Sequence, residues 1–152
     1  MHLAMHDYVR QLNEYYVDHP ELWEEDCDWS GFSWISCDDN DNSAIAFFRT
    51  GKDEKDSTVV LCNFTPVVRH SYRIGVPVKG DYVEVFNSDA EAFGGSNVLN
   101  EGVFTAQDVP MHGMDQSIEL TLPPLATIYL RLTEDSKHLL EAHESLDEGP
   151  KA

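Results

Sequence analysis

The stretch Ser117–Leu132, SIELTLPPLATIYLRL, decides the fold. Ile118, Leu120 and Leu122 alternate with Ser117, Glu119 and Thr121. Beyond Pro123 and Pro124 the alternation resumes, with Ile128, Leu130 and Leu132 set against Thr127, Tyr129 and Arg131. Successive side chains of a strand point to opposite faces, so each half reads as a strand with one buried and one outward face. Working upstream, YVEVFN at Tyr82–Asn87 alternates in the same way. Phe32–Ser36, Ser43–Arg49 and Thr58–Phe64 are rich in the aromatic and β-branched residues that suit strands. Turn signals separate them: TGKDEKDS, VPVKGD, FGGSN, NEG and PMHGMDQ. Seven or eight short strands at such spacing predict an antiparallel sandwich or barrel, and the absence of βαβ alternation argues against a parallel sheet. Trp34, between Phe32 and Ile35, is expected in the core.

The flanks read differently. Met5, Tyr8, Val9, Leu12, Tyr15 and Tyr16 recur at helical spacing, and Pro20 ends that pattern because the residue before a proline is pushed out of the helical region. PELWEED adds a further turn with Pro20 in its first position. The last twenty residues carry six acids, two bases and only Leu139, Leu140 and Leu146 as large apolar groups. That composition predicts a disordered or weakly helical tail, with a docking helix as the alternative. The expected division is a helical segment over 1–28, a β-domain over 29–132 and an acidic tail over 133–152.

Bulk properties bound the function. The 152 residues suffice for one domain with a real core. A formal charge of −18, from 28 acids against 10 lysines and arginines, disfavours nucleic acid and anionic membrane surfaces as partners. It leaves neutral partners such as sugars open. No apolar run reaches the roughly 18–20 residues that span a bilayer, and the N-terminus does not read as a secretory signal. Cys27, Cys37 and Cys62 form no C-x-x-C pair and read as reduced, partly buried thiols of a cytoplasmic protein.

The chemical candidates are few. The acidic run Asp38-Asp39-Asn40-Asp41 fails as a calcium loop: from Asp38 the sixth and twelfth positions are Ser43 and Arg49, and from Asp39 they are Ala44 and Thr50. Asp and Asn cap their own turn backbone, so this run is expected to be the solvated tip of a hairpin with no part in binding. His2 and His6 have zinc spacing on a helix but lack a third ligand. Ser88, His112 and Asp115 are triad residue types without the Gly-x-Ser-x-Gly context that places a nucleophile. GGSN at 94–97 lacks the lysine of a phosphate loop. The residues alone thus describe an acidic, cytoplasmic, all-β domain with no catalytic residue, no cofactor and no metal site.

YVRQLNEYY, PELWEED, GFSWISCDDNDNSAIAFFR, CNFTPVVRHSYRIGVP, GDYVEVFNSDAEAFGGSN and MHGMDQSIELTLPPLATIYL run in one order from about Met5 to Leu132. In that order the chain resembles the C-terminal region of the 1,4-α-glucan (glycogen) branching enzymes of the α-amylase superfamily. The resemblance implies a Greek-key β-sandwich of the α-amylase C-terminal type, preceded by one helix that leads out of a catalytic (β/α)8 barrel. It implies that barrel and α-glucan as partners. It carries over no catalytic residue, because the family's nucleophilic Asp, acid/base Glu and stabilising Asp lie in the barrel and the retaining chemistry is theirs. The piece alone is expected to be inactive, and its opening helix is expected to expose an apolar patch. Trp29 stands where related sequences often have proline, and the tail lies beyond the resemblance. Two rings in turn contexts, Trp29 in CDWSG and Phe93 in EAFGGSN, are the candidate glucan contacts. An autonomous carbohydrate-binding module, or the terminal domain of a related debranching enzyme, are the alternative readings.

Overall fold

The computed structural model describes residues His2–Asp147. Eight strands form a sandwich: β1 Phe32–Asp39, β2 Ala44–Thr50, β3 Ser57–Asn63, β4 Arg69–Gly75, β5 Asp81–Asn87, β6 Phe104–Thr105, β7 Ser117–Leu122 and β8 Thr127–Leu132. Six lie in one sheet in the order β1-β2-β3-β8-β5-β6, and β4 pairs with β7 in the second. Every pairing is antiparallel. The chain crosses to the small sheet after β3 and again for β7, so the connections are nested in Greek-key fashion rather than running as a simple meander.

The alternation that announced β7 and β8 is the core itself. Ile118, Leu120, Leu122, Ile128, Leu130 and Leu132 are all buried, and they meet Ala46, Val59 and Leu61 from β2 and β3 and Ile74 and Val76 from the other side. Each such side chain contributes about 1.5–3 kcal/mol through the water it sheds. Tyr82 fills the same interior and donates its hydroxyl to the Val78 carbonyl (2.7 Å), which satisfies the one polar atom it brings inside.

The period of two also corrects an expectation. Only one of two neighbouring residues can face inward, and in β1 that residue is Ile35. Trp34 therefore points outward, 52% exposed, with its ring edge-on to Phe32 and Phe47 at 5.1 and 5.9 Å. β4 and the short β6 lie outside the segments that read as strands. In β4 the register slips between Arg69 and Tyr72, where Ser71 takes φ 53°, and that bulge hides the alternation.

Two helices flank the sandwich: α1 His2–Asp18 and α2 Glu134–Asp147. α1 lies on the outer face of the large sheet. Tyr8 packs on Phe86, and Tyr15 on Tyr129, with centroids 5.8 and 5.2 Å apart. The face of α1 that docks carries Tyr8, Leu12 and Tyr15, while Met5, Val9 and Tyr16 of the same apolar set are exposed.

Over Glu134–Asp147, where the sequence leaves a disordered or weakly helical tail and a docking helix open, the chain forms α2. Thr133 Oγ1 accepts the Ser136 N–H (3.3 Å), and Glu134 and Asp135 occupy the first turn, where the helix dipole favours acids. Ser136 Oγ in turn accepts the Asp81 N–H (2.9 Å), Lys137 is buried with its ammonium on Asp56 (2.9 Å), and Leu140 packs against the core. Caps and ion pairs supply the order that the apolar content alone does not predict. Residues 148–152 of the expected tail lie outside the described residues.

Candidate functional site

Trp29 opens a short 3₁₀ turn, Trp29–Gly31, whose start is capped by Asp28 accepting the Ser30 N–H (3.3 Å). Gly31 has no alternative there, since a Cβ would collide with the Glu25 carbonyl as the turn folds back on that segment. The turn leaves the indole 93% exposed. Beside it a cavity of about 410 Å³ is lined by Asp26, Asp28, Phe32 and Arg49, with Arg49 and Asp26 paired at 2.6 Å. An aromatic plane next to carboxylates and a guanidinium is the equipment for a pyranose, whose faces are C–H-rich and whose rim is hydroxyl-rich.

Phe93, the other candidate ring, sits elsewhere. It ends a 3₁₀ turn in the β5–β6 loop and packs against Tyr8 of α1 and Phe86 of β5, at 5.3 and 5.7 Å. The loop is tied together by the buried Asp89 carboxylate, which accepts the N–H groups of Ser96 and Val98, both at 2.8 Å, and the Ser96 hydroxyl. Trp29 and Phe93 line different cavities. The structure thus leaves one ring open and engages the other in holding α1.

The remaining sequence candidates are not brought together. Ser88 Oγ accepts the Thr127 N–H (2.9 Å), and His112 Nδ1 accepts the Gly75 N–H (3.2 Å), so neither addresses the other, and Asp115 is exposed. His2 and His6 are exposed on α1. Cys27 and Cys37 are exposed rather than partly buried, and Cys62 is half-buried, its thiol pushed up by burial. Among the described residues no group of three or more His, Cys, Asp or Glu could hold a metal ion, and no helix is long and apolar enough to cross a membrane.

Two carboxylates sit in polar knots that sequence reasoning missed. Glu21, 1% exposed, accepts the Thr58 hydroxyl (2.7 Å). With that proton committed, Tyr15 must be the donor in its 2.9 Å contact with Thr58 Oγ1, and burial pushes the Tyr15 hydroxyl up to about 12. Arg131 completes the knot as an ion partner, its Nε 3.0 Å from Glu21 Oε1 but not aligned for a hydrogen bond. The second knot lies at the β1–β2 turn. The acidic run does form that turn, and Asp39 caps it through the Asn42 N–H (3.2 Å) and amide, but it also accepts the Tyr72 hydroxyl (2.7 Å) from β4. Burial would raise the Asp39 carboxyl; the bonds from Tyr72 and Asn42 and the charge of Arg69 outweigh it and hold the group below its usual value. The only local sign of this second role is the bulged segment RHSYR.

Compared with known proteins, residues 34–133 match the family described as alpha amylase, C-terminal all-beta domain. The chain is 49% identical over 131 residues to a 1,4-alpha-glucan branching enzyme GlgB of Halothermothrix orenii, covering 86% of this chain and 21% of that protein. It is 44% identical over 146 residues to the GlgB of Trichodesmium erythraeum, covering 96% and 19%. It is 51% identical over 129 residues to GlgB 1 of Xanthomonas axonopodis pv. citri, covering 85% and 18%. It spans about a fifth of the length of these curated relatives. The family match over residues 34–133, together with the all-antiparallel fold, leads to one conclusion: the chain belongs to the family of alpha-amylase C-terminal all-beta domains.

Proposed function

We propose that this chain is the C-terminal domain of a cytoplasmic glycogen branching enzyme and serves it by packing rather than by catalysis. The observation that carries this is the 44–51% identity to named branching enzymes over 85–96% of the chain. The parent enzyme would cleave α-1,4 glucan and pass the chain to a 6-hydroxyl in its (β/α)8 barrel. This domain would abut that barrel with the outer face of the large sheet. There Trp34, Phe47 and the exposed α1 residues Met5, Val9 and Tyr16 offer apolar surface beside the docked half of the helix. In this role it shields the barrel and tunes which glucan chains are used.

The 152-residue chain alone is expected to show no glucan transfer in an iodine-stain assay, and any transfer by pure protein would overturn the reading. In a full-length branching enzyme carrying this domain, replacing Trp34 and Phe47 together by serine should lower stability and branching rate. A rate and stability left untouched would remove the outer face as the interface.

A second reading, direct grip on glucan, is favoured by one observation, the open Trp29 indole. Affinity electrophoresis in glycogen-containing native gels tests it. Retardation lost in Trp29→Ala but kept in Phe93→Ala would assign the contact to Trp29, and unchanged mobility of the wild-type chain would leave packing as the domain's contribution. The debranching alternative is disfavoured because the relatives it matches are named branching enzymes.

A further inference from the structure

At the seam between the β1–β2 turn and β4 lies a cavity of about 480 Å³, within the range of small-molecule sites. Its wall holds Asp39 and Asn42 from the turn, Arg69, His70 and Tyr72 from β4, and His112 from the loop before β7. Two features distinguish it from an incidental groove. Two of the five non-glycine residues with positive φ among the described residues, Ser71 and His112, both at 53°, line it. Such conformations cost about 1–3 kcal/mol each and persist where the surroundings demand them. Its groups are fixed rather than solvated: Tyr72 and Asn42 hold Asp39 ionised, Arg69 Nη2 donates to the Asn42 carbonyl (3.3 Å), and Gly75 N–H binds His112 Nδ1. That last bond makes His112 Nε2 the protonated nitrogen and leaves it a donor.

The charges nearly cancel. Arg69 stands against Asp39, and Arg73 is taken up by Glu119 (3.1 Å), Gln107 and Ser117. An anion would find no net attraction, and a cation no second carboxylate. What remains is a carboxylate held by Asn42 and Tyr72, in a lining it shares with Arg69, His112 and the apolar Val68 and Met111. That arrangement matches a ligand carrying adjacent hydroxyls, each both donor and acceptor.

We propose that this cavity is a saccharide subsite that takes one glucose unit of an α-glucan. Asp39 accepts from one hydroxyl, and Arg69 and His112 donate to its neighbour. The choice of glucan among polyols rests on the branching-enzyme reading; the hydroxyl-binding site does not. The proposal revises the expectation that the acidic run takes no part in binding: Asp38 and Asp41 are exposed, whereas Asp39 faces the cavity.

The test is an NMR titration of the ¹⁵N-labelled 152-residue chain with maltoheptaose, and separately with inorganic phosphate. Maltoheptaose should shift the Asn42, Gly75 and Gly113 amides saturably, and phosphate should not. His112→Gly, which keeps the backbone conformation available, and Asp39→Asn, which keeps an acceptor for Tyr72, should each weaken that response by about tenfold or more. In both variants the Trp29 indole signal reports the other candidate contact separately. No shift at these amides, an equal shift with phosphate, or an unchanged response in both variants would overturn the proposal. Loss of the packing reading in the full-length enzyme would leave this titration unaffected, so the two fail separately.

Discussion

The two carboxylate knots are built from the same parts and come to opposite ends. Glu21 and Asp39 each accept a hydroxyl at 2.7 Å, from Thr58 and Tyr72, and each has an arginine nearby, Arg131 and Arg69. The Glu21 knot is sealed under α1 and the turn Pro20–Leu22, with Thr58 bonded to Glu21 and Arg131 held against it as an ion partner. The Asp39 knot is open along one side to a cavity. A closed knot can only hold elements together. An open one, with its donors and acceptor already oriented, is in a position to recognise something.

The largest effect should come from the sealed knot. Glu21→Ala leaves Arg131 without its buried partner and strands the Thr58 hydroxyl, and it should cost about 3–5 kcal/mol in chemical denaturation. The open knot should be milder: Asp39→Asn keeps an acceptor for Tyr72 and should cost about 1–2 kcal/mol. If Asp39→Asn costs as much as Glu21→Ala, the contrast breaks and the Asp39 knot is structural.

Lys137→Met tests the tail. It removes the ties to Asp56 and Glu134 while keeping the apolar stem, so it should cost no more than about 1 kcal/mol, and added salt should shrink the difference. Amide exchange confined to α2 would report it.

Acid sharpens the comparison further. The Asp39 carboxyl titrates below its ordinary 3.8 in the folded chain, so the stability it lends is fully present above about pH 4 and is lost as pH falls through the lowered value. Tyr72→Phe removes one of the bonds that lower it, so the loss of stability below pH 4 should be shallower in the variant. An identical acid limb would show that Asn42 and Arg69 alone set the titration. The smallest effect belongs to Trp29→Ala, which should change stability by no more than about 0.5 kcal/mol, because the ring packs on little of the domain.

How much of this was legible in the sequence depends on how far apart the partners are. Ile118 to Leu132 announce their burial through a period of two that any reader can count. The acidic run announces a turn through the self-capping of Asp39 by Asn42, three residues away. Tyr72 reaches the same carboxylate across 33 residues, and Thr58 reaches Glu21 across 37, and no local pattern encodes such pairings. Trp34 was misplaced because a large ring within a strand suggests the interior, while the phase of the alternation, fixed by Ile35, sends it out. The composition of Glu134–Asp147 leaves a disordered, a weakly helical and a docked tail all open. Their ties are to Asp56 and Asp81, which the composition of the tail does not contain. The family-level fold was readable; the two knots were not.

The position of β1 has a consequence for solubility. It is an outer strand of the six-stranded sheet, with β6 at the other end, and it carries Phe32 and Trp34 on its open face. A long, flat strand of that kind would be a template for pairing with another chain. β1 is neither flat nor regular: its register against β2 breaks between Trp34 and Ser36 and again between Ser36 and Asp39, and its far end carries two aspartates. β6 is only two residues long. Irregular ladders, charge and brevity are the devices by which open sheet edges avoid templating fibrils, so the domain can present an aromatic strand to its surroundings without inviting edge-to-edge aggregation.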